Sequence, residues 1–391
     1  MSDIVILSGA RTAIGAFGGS LAATRPIDLA TVAAKAALER AGLDPARIGT
    51  TVFGHVINTE PRDMYLSRVA AMQAGVPETV PAMNVNRLCG SGVQAIVSGA
   101  QSLMLGDADF ALVGGAECMS RAPFVLPDAR WGAKMGDVAS LDMMLGALNC
   151  PFGTGHMGVT AENVASEHGI SRADQDAFAL TSQTRAANAI SAGHFAAEIA
   201  PVVVQRKREE VAFEIDEHPK DTTLEALAGL RPVFRKDGSV TAGNASGIND
   251  GAAALVLGRA DAVEQAGLTP RARVLGYAHS GVRPDVMGIG PIPAVRQLFA
   301  RTGLGPDDFD IIESNEAFAS QALAVTRALG LDPARVNPSG GAIALGHPVG
   351  ATGAIITVKA LHALDRTGGR RALVTMCIGG GQGIALAIER I

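Results

Sequence analysis

The sequence contains few aromatic residues, few charges and few cysteines. Of 391 residues, 12 are Phe, 2 are Tyr and 1 is Trp, although 48% of the chain is hydrophobic and 47 residues are Gly. The interior must therefore be filled by small and aliphatic side chains, which suits closely packed helices and sheets. Only 18% of residues are charged, which argues against disorder. Four cysteines are too few for a disulfide framework and indicate a reducing compartment.

Other absences exclude further classes of protein. The 33 basic residues are outnumbered by 38 acidic ones, and the net charge of −5 gives no reason to expect nucleic acid as a partner. No 18-residue apolar run is free of charged or turn residues, so no membrane span is expected. The first residues, 1–7, lack the basic start and long apolar core of a signal peptide. We expect a soluble, cytoplasmic α/β protein of two or three domains.

Two segments of the chain repeat at one fixed offset. Residues 40–45 (RAGLDP) resemble residues 301–306 (RTGLGP), which lie 261 positions further on. At the same offset Gly92 matches Gly353, and residues 112–113 match residues 373–374. We infer two homologous halves, each alternating strands with helices. Such alternation predicts a mostly parallel sheet covered by helices.

The first half carries an insertion. Ala116 and Gly251 lie far apart in the sequence, whereas the matching Cys377 and Gly383 are separated only by the short segment IGGGQ. The extra length amounts to a domain of its own. We expect an N-terminal half at residues 1–117 plus 248–270, an inserted domain at 118–247 and a C-terminal half at 271–391. An insertion on a rigid α/β scaffold is a natural place for substrate recognition.

Two glycine-flanked cysteines are candidates for chemistry. Cys89 lies in residues 84–92 (NVNRLCGSG) at a strand-to-helix turn, where a helix N-terminus favours the thiolate. The alternative is a buried structural cysteine beside turn glycines. Cys377 begins residues 377–383 (CIGGGQG), whose successive backbone N–H groups could face an oxyanion. The alternative for this segment is a tight connection between strands.

Two further groups contain polar residues next to predicted strand ends or helix starts. Asn315 opens residues 315–318 (NEAF) after a strand, where open α/β sheets bind ligands, although helix capping is equally compatible. His347 lies between Gly and Pro in residues 337–353 and is suited to act as a base, or is a loop histidine. By the offset, Cys89 and His347 precede equivalent helices. A shared site with two thiols, an imidazole and an amide suits acyl transfer through a thioester, and metal-ligand spacing is absent.

These motifs together resemble the thiolase family. The resemblance rests on residues 86–92, 315–318, 341–348 (GAIALGHP) and 377–381, and it extends over essentially the whole chain. It is nearest to bacterial acetoacetyl-CoA and broad-specificity β-ketothiolases, and residues 58–65 (NTEPRDMY) resemble the kind that supplies polyhydroxyalkanoate monomers. The resemblance implies duplicated α-β-α-β-α halves stacked as a five-layer core with an inserted loop domain, and a dimer or, more often, a tetramer built as a dimer of dimers.

The resemblance also implies catalytic roles. Cys89 would be the nucleophile that accepts the acyl group, and His347 would take its proton. Cys377 would be the second acid/base, acting on the methyl group of acetyl-CoA. Asn315 would hold a water that forms one oxyanion hole with His347, and the N–H groups of Cys89 and Gly379 would form the other. Dividing the roles between two thiols is chemically sensible because one group need not be both nucleophile and base.

For coenzyme A the resemblance implies contacts made mainly by the insertion. A basic residue that meets the nucleotide in relatives appears here as Lys220, with a one-residue gap in the match, and a Ser near the adenine in relatives is replaced here by Ala226. Arg206, Lys207 and Arg208 could attract the phosphates, although a solvated charge run is the favoured explanation. The expected substrate contacts are Leu148, His156, Met157, Lys220, Phe234, Ser246, Ala317 and Phe318.

The expected activity is that of an acetyl-CoA C-acetyltransferase. It would join two acetyl-CoA into acetoacetyl-CoA and CoA, and cleave short-chain 3-ketoacyl-CoA in reverse, through an acyl-Cys89 thioester. No cofactor or metal is expected, since CoA thioesters are substrates. One alternative is a degradative 3-ketoacyl-CoA thiolase for longer or dicarboxylic substrates. Others are a decarboxylating ketosynthase, which would lack Cys377, and a non-catalytic CoA-binding relative.

Overall fold

The computed structural model describes residues 3–391. Met1 and Ser2, with which the expectation about a signal peptide begins, lie outside the described residues. The sixteen strands found in residues 3–391 are β1 Ile4–Arg11, β2 Gly15–Ala16, β3 Thr50–Gly54, β4 Ala82–Val85, β5 Phe110–Cys118, β6 Phe124–Val125, β7 Leu141–Asp142, β8 Asn149–Cys150, β9 Gly155–His156, β10 Val202–Arg206, β11 Glu209–Phe213, β12 Asn249–Arg259, β13 Ala272–Gly281, β14 Ile311–Ser314, β15 Arg371–Ile378 and β16 Gln382–Arg390.

The α-helices complete the framework. Their bounds are α1 Pro26–Ala41, α2 Leu66–Gln73, α3 Ser91–Leu105, α4 Met143–Leu148, α5 Met157–Glu167, α6 Arg172–Ser191, α7 Leu224–Ala228, α8 Ala260–Gln265, α9 Pro291–Thr302, α10 Ala319–Leu329, α11 Ala342–Leu345 and α12 Thr352–Thr367. The pairs α1 with α9 and α3 with α12 are the helices that accompany the two repeated segments.

The two halves repeat in pairing register as well as in sequence. In the first half Thr50 of β3 pairs in parallel with Ala111 of β5, and in the second Ile311 of β14 pairs with Ala372 of β15. Both pairs are related by the offset of 261. The strand order is β14-β15-β16-β13-β1-β12-β5-β3-β4, with β1 and β13 joining the halves. The duplicated α/β fold is therefore confirmed.

The expectation of a mostly parallel sheet is wrong. Only β3–β4, β3–β5 and β14–β15 are parallel among the described strands, and the other pairings of the main sheet are antiparallel. The reason is the connection that follows β5 and β15. β15 returns directly through a tight turn into its neighbour β16, and β5 returns through the insertion into β12, so each pair is antiparallel.

Helices α3 and α12 form the central layer between the two halves. They pack against each other, α1 packs on the outer face of β1, β5 and β12, and α9 covers β13 and β16. The contact between α3 and α12 requires glycine, because a Cβ at Gly92 or at Gly353 would lie 2.4 Å from a backbone nitrogen of the opposite helix. This close approach brings the starts of both central helices to one place.

The hydropathy of α3 reflects its central position. Residues Leu88–Leu105 have a mean hydropathy of 1.2, enough by length and composition for a membrane span, and 56% of this stretch is buried within the protein. Val93, Ile96 and Val97 are completely buried between the layers. Packing in the interior thus accounts for the apolar character of this helix.

The insertion lies between β5 and β12. Ala116 of β5 pairs with Ala252 of β12 across it, whereas Cys377 of β15 pairs with Gly383 of β16 across a tight turn. The insertion is attached to the core by the fully buried Arg11 of β1. The Arg11 guanidinium contacts Glu198 and Asp216 of the insertion, each at 2.7 Å. Removing one partner of such a buried cluster typically costs about 3–5 kcal/mol.

Candidate active site

A strained turn before α3 presents Cys89. Leu88 has a φ of 45°, a conformation that non-glycine residues rarely adopt. The turn is closed by Ser91, whose hydroxyl accepts the Arg87 N–H at 2.8 Å and donates to the Leu88 carbonyl at 2.7 Å. Strain of this kind persists where surrounding contacts enforce it, and it is frequent at functional sites.

The position of Cys89 at a helix start does not keep its thiol ionised, contrary to the expectation from sequence. Burial raises the pKa of the Cys89 thiol, and the backbone N–H groups of Gly379 and of Cys89 itself, which face the sulfur, offset this only in part. The thiol therefore needs a base to become a nucleophile. The two N–H groups that converge here are the pair expected to bind an oxyanion.

His347 lies in the loop before α12 and is held from both ends of its ring. Its Nδ1 is 2.7 Å from Oγ1 of Thr352, and its Nε2 is 3.4 Å from Nδ2 of Asn315. Its backbone N–H donates to Oδ1 of Asn249 at 2.9 Å. Burial lowers the pKa of His347 to about 4, so the imidazole is neutral at physiological pH and can accept a proton.

Asn315 follows β14 directly and is fixed by its neighbour Glu316. The buried Glu316 carboxylate accepts from the Ser182 hydroxyl at 2.6 Å, from Asn337 at 2.7 Å and from the Ile343 N–H at 3.2 Å. Among the described residues, Oδ1 of Asn315 has no hydrogen-bond partner although it is buried. The Asn315 amide therefore lies beside His347, and its Oδ1 can still accept a hydrogen bond.

Cys377 lies near the end of β15 and is completely buried. Burial raises its pKa well above the ordinary value, and the neighbouring Cys89 adds to this, so the group is a neutral thiol. The turn that follows needs glycine, because Gly380 and Gly381 have φ values of 82° and 86°. The second thiol is thereby placed next to the first.

A cavity of about 670 Å³ opens above Cys89 and His347. Its volume lies in the range of small-molecule sites. All eight side chains that the sequence predicts to contact substrate line it. They are Leu148, His156, Met157, Lys220, Phe234, Ser246, Ala317 and Phe318.

An aromatic wall forms one side of the cavity. The rings of His156 and Phe234 stack with centroids 4.7 Å apart, and Phe318 meets Phe234 edge-on at 6.3 Å. Gly158 makes room for this wall, since a Cβ there would lie 2.2 Å from the Phe234 ring. The insertion and the second half therefore meet at this wall, and an apolar chain can lie along it.

The cavity lining also contains residues that the sequence did not identify. His218 lines the cavity, and burial together with the charge of Lys220 lowers its pKa to about 4. Phe17 and Met287 are further additions. His218 lies two residues from Lys220, so the proximity in sequence was a usable signal, whereas Phe17 and Met287 lie far from every motif.

Glu117 ties the two halves together beneath the site. Its buried carboxylate accepts the N–H groups of Val56 and Ile57 at 3.1 Å and that of Gly350 at 2.9 Å. The loop that carries His347 is therefore anchored to the end of β5. Nothing in the sequence motifs indicates this long-range contact.

The remaining candidates lie outside the cavity lining. Arg206 donates to the Ser20 hydroxyl at 2.9 Å, and Ala226 lies in α7. Cys118 is a buried packing residue, and Cys150 packs in the apolar cluster that contains Met157. All four cysteines are unpaired thiols. Within residues 3–391, no three His, Cys, Asp or Glu side chains are grouped as a metal site would require.

Comparison with known families agrees with this fold and site. Residues 4–261 match the thiolase N-terminal domain, and residues 268–390 match the thiolase C-terminal domain. The protein belongs to the thiolase family, whose members are acyltransferases.

Individual relatives indicate which kinds of thiolase this chain resembles. The chain is 59% identical to the beta-ketothiolase BktB of Cupriavidus necator, over 100% of this chain and 99% of the relative. It is 49% identical to an acetyl-CoA acetyltransferase of the same organism, with both chains fully covered. The crystal structure of the Bacillus anthracis acetyl-CoA acetyltransferase superposes with a TM-score of 0.98 at 43% identity, covering 100% of this chain and 99% of the other. These relatives favour the acetyl-CoA reaction over the degradative alternative.

Proposed function

We propose that this thiolase condenses two acetyl-CoA into acetoacetyl-CoA and CoA, and cleaves short-chain 3-ketoacyl-CoA in the reverse direction, through an acyl group carried on Cys89. The observation that supports this most directly is that Cys89 and His347 share one cavity in the size range of small-molecule sites, with Cys377 and the Gly379 N–H next to the Cys89 sulfur. The names of the relatives cited above support the same substrates.

In the proposed mechanism thiolysis has two steps. His347 takes the Cys89 proton, and the sulfur attacks the 3-keto carbon of the substrate. The bond between C2 and C3 then breaks, leaving the acyl group on Cys89, and Cys377 donates its proton to C2 of the departing acetyl-CoA. The thiolate of Cys377 next takes the proton of incoming CoA, whose sulfur attacks the acyl-Cys89 thioester. The acyl-CoA leaves, and His347 returns its proton to the Cys89 sulfur.

Two oxyanion sites stabilise the charges that develop. The N–H groups of Cys89 and Gly379 would bind the oxygen of the acyl-Cys89 thioester. Asn315, through a water, would act with His347 on the thioester oxygen of the CoA substrate. Each donor of this type contributes about 3–4 kcal/mol to transition-state stabilisation. No metal or cofactor is assigned a step in this scheme, and we expect activity to persist in EDTA.

The CoA moiety is assigned to the cavity wall built by the insertion. The pantetheine arm would run along Phe234 and His156 toward Cys89, with Ser246 as a polar contact. Ser246 is held against the second half by its N–H, which donates to the Ala317 carbonyl at 3.0 Å. Lys220, at the exposed rim, would meet the phosphates.

The direct test is CoA-dependent cleavage of acetoacetyl-CoA by the purified protein, followed by the loss of absorbance of its magnesium enolate. We expect steady-state kinetics in which the two substrates bind in alternation, as a covalent intermediate demands. Absence of cleavage would exclude the proposal. Alkylation of Cys89 by iodoacetamide, lost in Cys89→Ser, separates an inactive preparation from a non-catalytic CoA-binding protein.

A second candidate is thiolysis of longer or dicarboxylic 3-ketoacyl-CoA. It is favoured by a beta-ketoadipyl-CoA thiolase of Pseudomonas aeruginosa that is 51% identical, over 100% of this chain and 99% of the relative. A dicarboxylic substrate would need a cationic partner for its second carboxylate. Among the described residues that line the cavity, there is one lysine and no arginine. Relative kcat/KM for acetoacetyl-CoA, 3-ketohexanoyl-CoA and 3-ketoadipyl-CoA decides between the two.

We also propose a homotetramer in a reducing cytoplasm. Residues 124–141 of the insertion carry apolar side chains that a single chain leaves uncovered, among them Trp131 at 82% and Met135 at 99% exposure. Patches of this kind mark interaction surfaces, and a second copy would cover them. Sedimentation velocity should give about four times the 39.9 kDa chain mass. Trp131→Asp should shift the species to half that mass.

A further inference from the structure

The turns that precede α3 and α12 are equivalent by the repeat, and each is closed by a hydroxyl. Ser91 and Thr352 are 261 positions apart, each at the first residue of its helix. The Ser91 hydroxyl donates to a carbonyl three residues back and accepts the N–H of Arg87. A hydroxyl has one hydrogen, so its remaining capacity is as an acceptor.

Proline changes what the second hydroxyl accepts. The equivalent of Arg87 is Pro348, which has no N–H to donate. Thr352 Oγ1 donates to the Pro348 carbonyl at 2.9 Å, and the atom facing its lone pair is Nδ1 of His347 at 2.7 Å. In the first half this acceptor holds a backbone N–H, and in the second it holds the imidazole.

Contacts on both sides of the ring agree on one tautomer. When the Thr352 hydroxyl donates to the Pro348 carbonyl one helical turn back, its lone pair faces Nδ1 of His347, and that 2.7 Å contact is a hydrogen bond only if Nδ1 carries the hydrogen. On the other side Nε2 faces Nδ2 of Asn315 at 3.4 Å, and an amide nitrogen is only a donor. Both contacts are therefore satisfied together when Nε2 is the unprotonated nitrogen. Thr352 is only 2% exposed, so water does not compete for its contact with Nδ1 of His347.

We propose that Thr352 is a positioning residue that fixes His347 as the Nδ1–H tautomer and thereby directs the basic Nε2 toward the reacting groups. The inference rests on the proposed role of His347 as the base. With the other tautomer, the hydrogen would lie on Nε2 and the nitrogen able to accept a proton would face Thr352. The neutral ring has a single basic nitrogen, so its tautomer decides where a proton can be taken up.

The decisive variants are Thr352→Val and Thr352→Ser. Valine has nearly the same shape and lacks the hydroxyl, whereas serine keeps it. Since general-base catalysis contributes roughly 10²–10⁴-fold, we expect Thr352→Val to lower kcat for thiolysis about 10- to 100-fold with KM changed less than about 3-fold. Thr352→Ser should stay within about 3-fold of the parent. Equal kcat values for the valine and serine variants would overturn the proposal.

A structural readout tests the tautomer without using activity. Neutron diffraction from the deuterated parent protein near pH 7 should show a deuteron on Nδ1 of His347 and none on Nε2, whereas a deuteron on Nε2 would refute the assignment. His347→Asn tests the function separately. If that variant keeps full activity, His347 is not the base. The tautomer assignment is then still decided by the neutron density alone.

Discussion

The floor and the wall of the cavity come from different parts of the chain. We use floor for the four groups Cys89, His347, Asn315 and Cys377, which lie at strand ends and helix starts of the two repeated halves. Cys89 and His347 line the cavity, and Asn315 and Cys377 lie behind them, next to His347 and Cys89 respectively. Most of the residues that form the wall belong to the insertion, among them Phe234 and Lys220. The floor residues lie against the core, whereas Lys220 is exposed. In the proposed mechanism, the reacting groups therefore lie on the duplicated scaffold, and most substrate contacts lie on the insertion.

Variants in the floor and variants in the wall should change different kinetic constants. Changes in the floor should lower kcat, because its groups act on the reacting atoms. Changes in the wall should raise KM, because its groups contact parts of the substrate that do not react. A wall variant that lowers kcat as strongly as a floor variant would break the distinction.

The largest effects are expected at the two floor cysteines, and they should differ in kind. Cys89→Ala should lower both condensation and thiolysis by about 10³-fold or more, since no acyl carrier remains. Cys377→Ala should abolish condensation to a similar extent while Cys89 can still be acylated by acetyl-CoA. Intact-protein mass spectrometry after incubation with acetyl-CoA measures the acyl-enzyme directly.

The control for this pair is Cys118→Ala, at a packing cysteine outside the cavity lining. It should keep near-normal activity and the same capacity for acylation. An acyl adduct on the Cys89→Ala protein, or full condensation by Cys377→Ala, would contradict the division of roles between the two thiols.

Asn315 should produce the next largest effect. Asn315→Ala removes one donor of an oxyanion site, and such losses typically lower kcat by about 10²–10³-fold. KM for acetoacetyl-CoA should change little, because the ground-state carbonyl gains less from the donor. Asn188→Ala, at an exposed position of α6, is the matched control and should leave kcat unchanged. If Asn315→Ala mainly raised KM, the amide would belong to the wall.

The sequence predicted the floor residues better than the long-range contacts that hold them in place. The offset of 261 places Thr50 and Ile311 in identical pairing registers, so the repeat alone defines where both central helices begin. The roles expected of the residues there come from the resemblance to the thiolase family. By contrast, the contact of Glu117 with Gly350 joins two positions that are distant in sequence and belong to different halves. Only packing in three dimensions creates it, and no local pattern records it.

The electrostatics of the nucleophile was predicted with the wrong sign. A helix start favours a thiolate when solvent or a cation helps, and on that basis a lowered pKa of Cys89 was expected. The structure buries the sulfur, and desolvation raises the pKa despite two facing N–H groups. Sequence spacing shows where a dipole points, whereas the extent of desolvation depends on the residues that cover it.

In the wall, Phe234 should matter most. Phe234→Ala removes the ring that stacks on His156 and meets Phe318, and a buried aromatic contact of this kind is worth about 1–3 kcal/mol. We expect KM for acetoacetyl-CoA and for CoA to rise about 5- to 100-fold with kcat within about 3-fold. Phe234→Leu keeps apolar bulk and should give an intermediate KM. A loss in kcat alone would place the ring in the floor.

The smallest effect is expected at Lys220, where the charge is exposed and screened by solvent. Lys220→Ala should raise KM for CoA about 2- to 5-fold at low salt, and Lys220→Arg should restore most of it, because a phosphate contact needs charge more than shape. The difference between the parent and Lys220→Ala should vanish at about 0.5 M salt, where exposed charges are largely screened. The nucleotide-free analogue pantetheine should be insensitive to the substitution. If pantetheine kinetics changed as much as CoA kinetics, the phosphate contact would be refuted. Lys220 would then act on the pantetheine arm of the substrate or through His218, whose pKa its charge helps to lower.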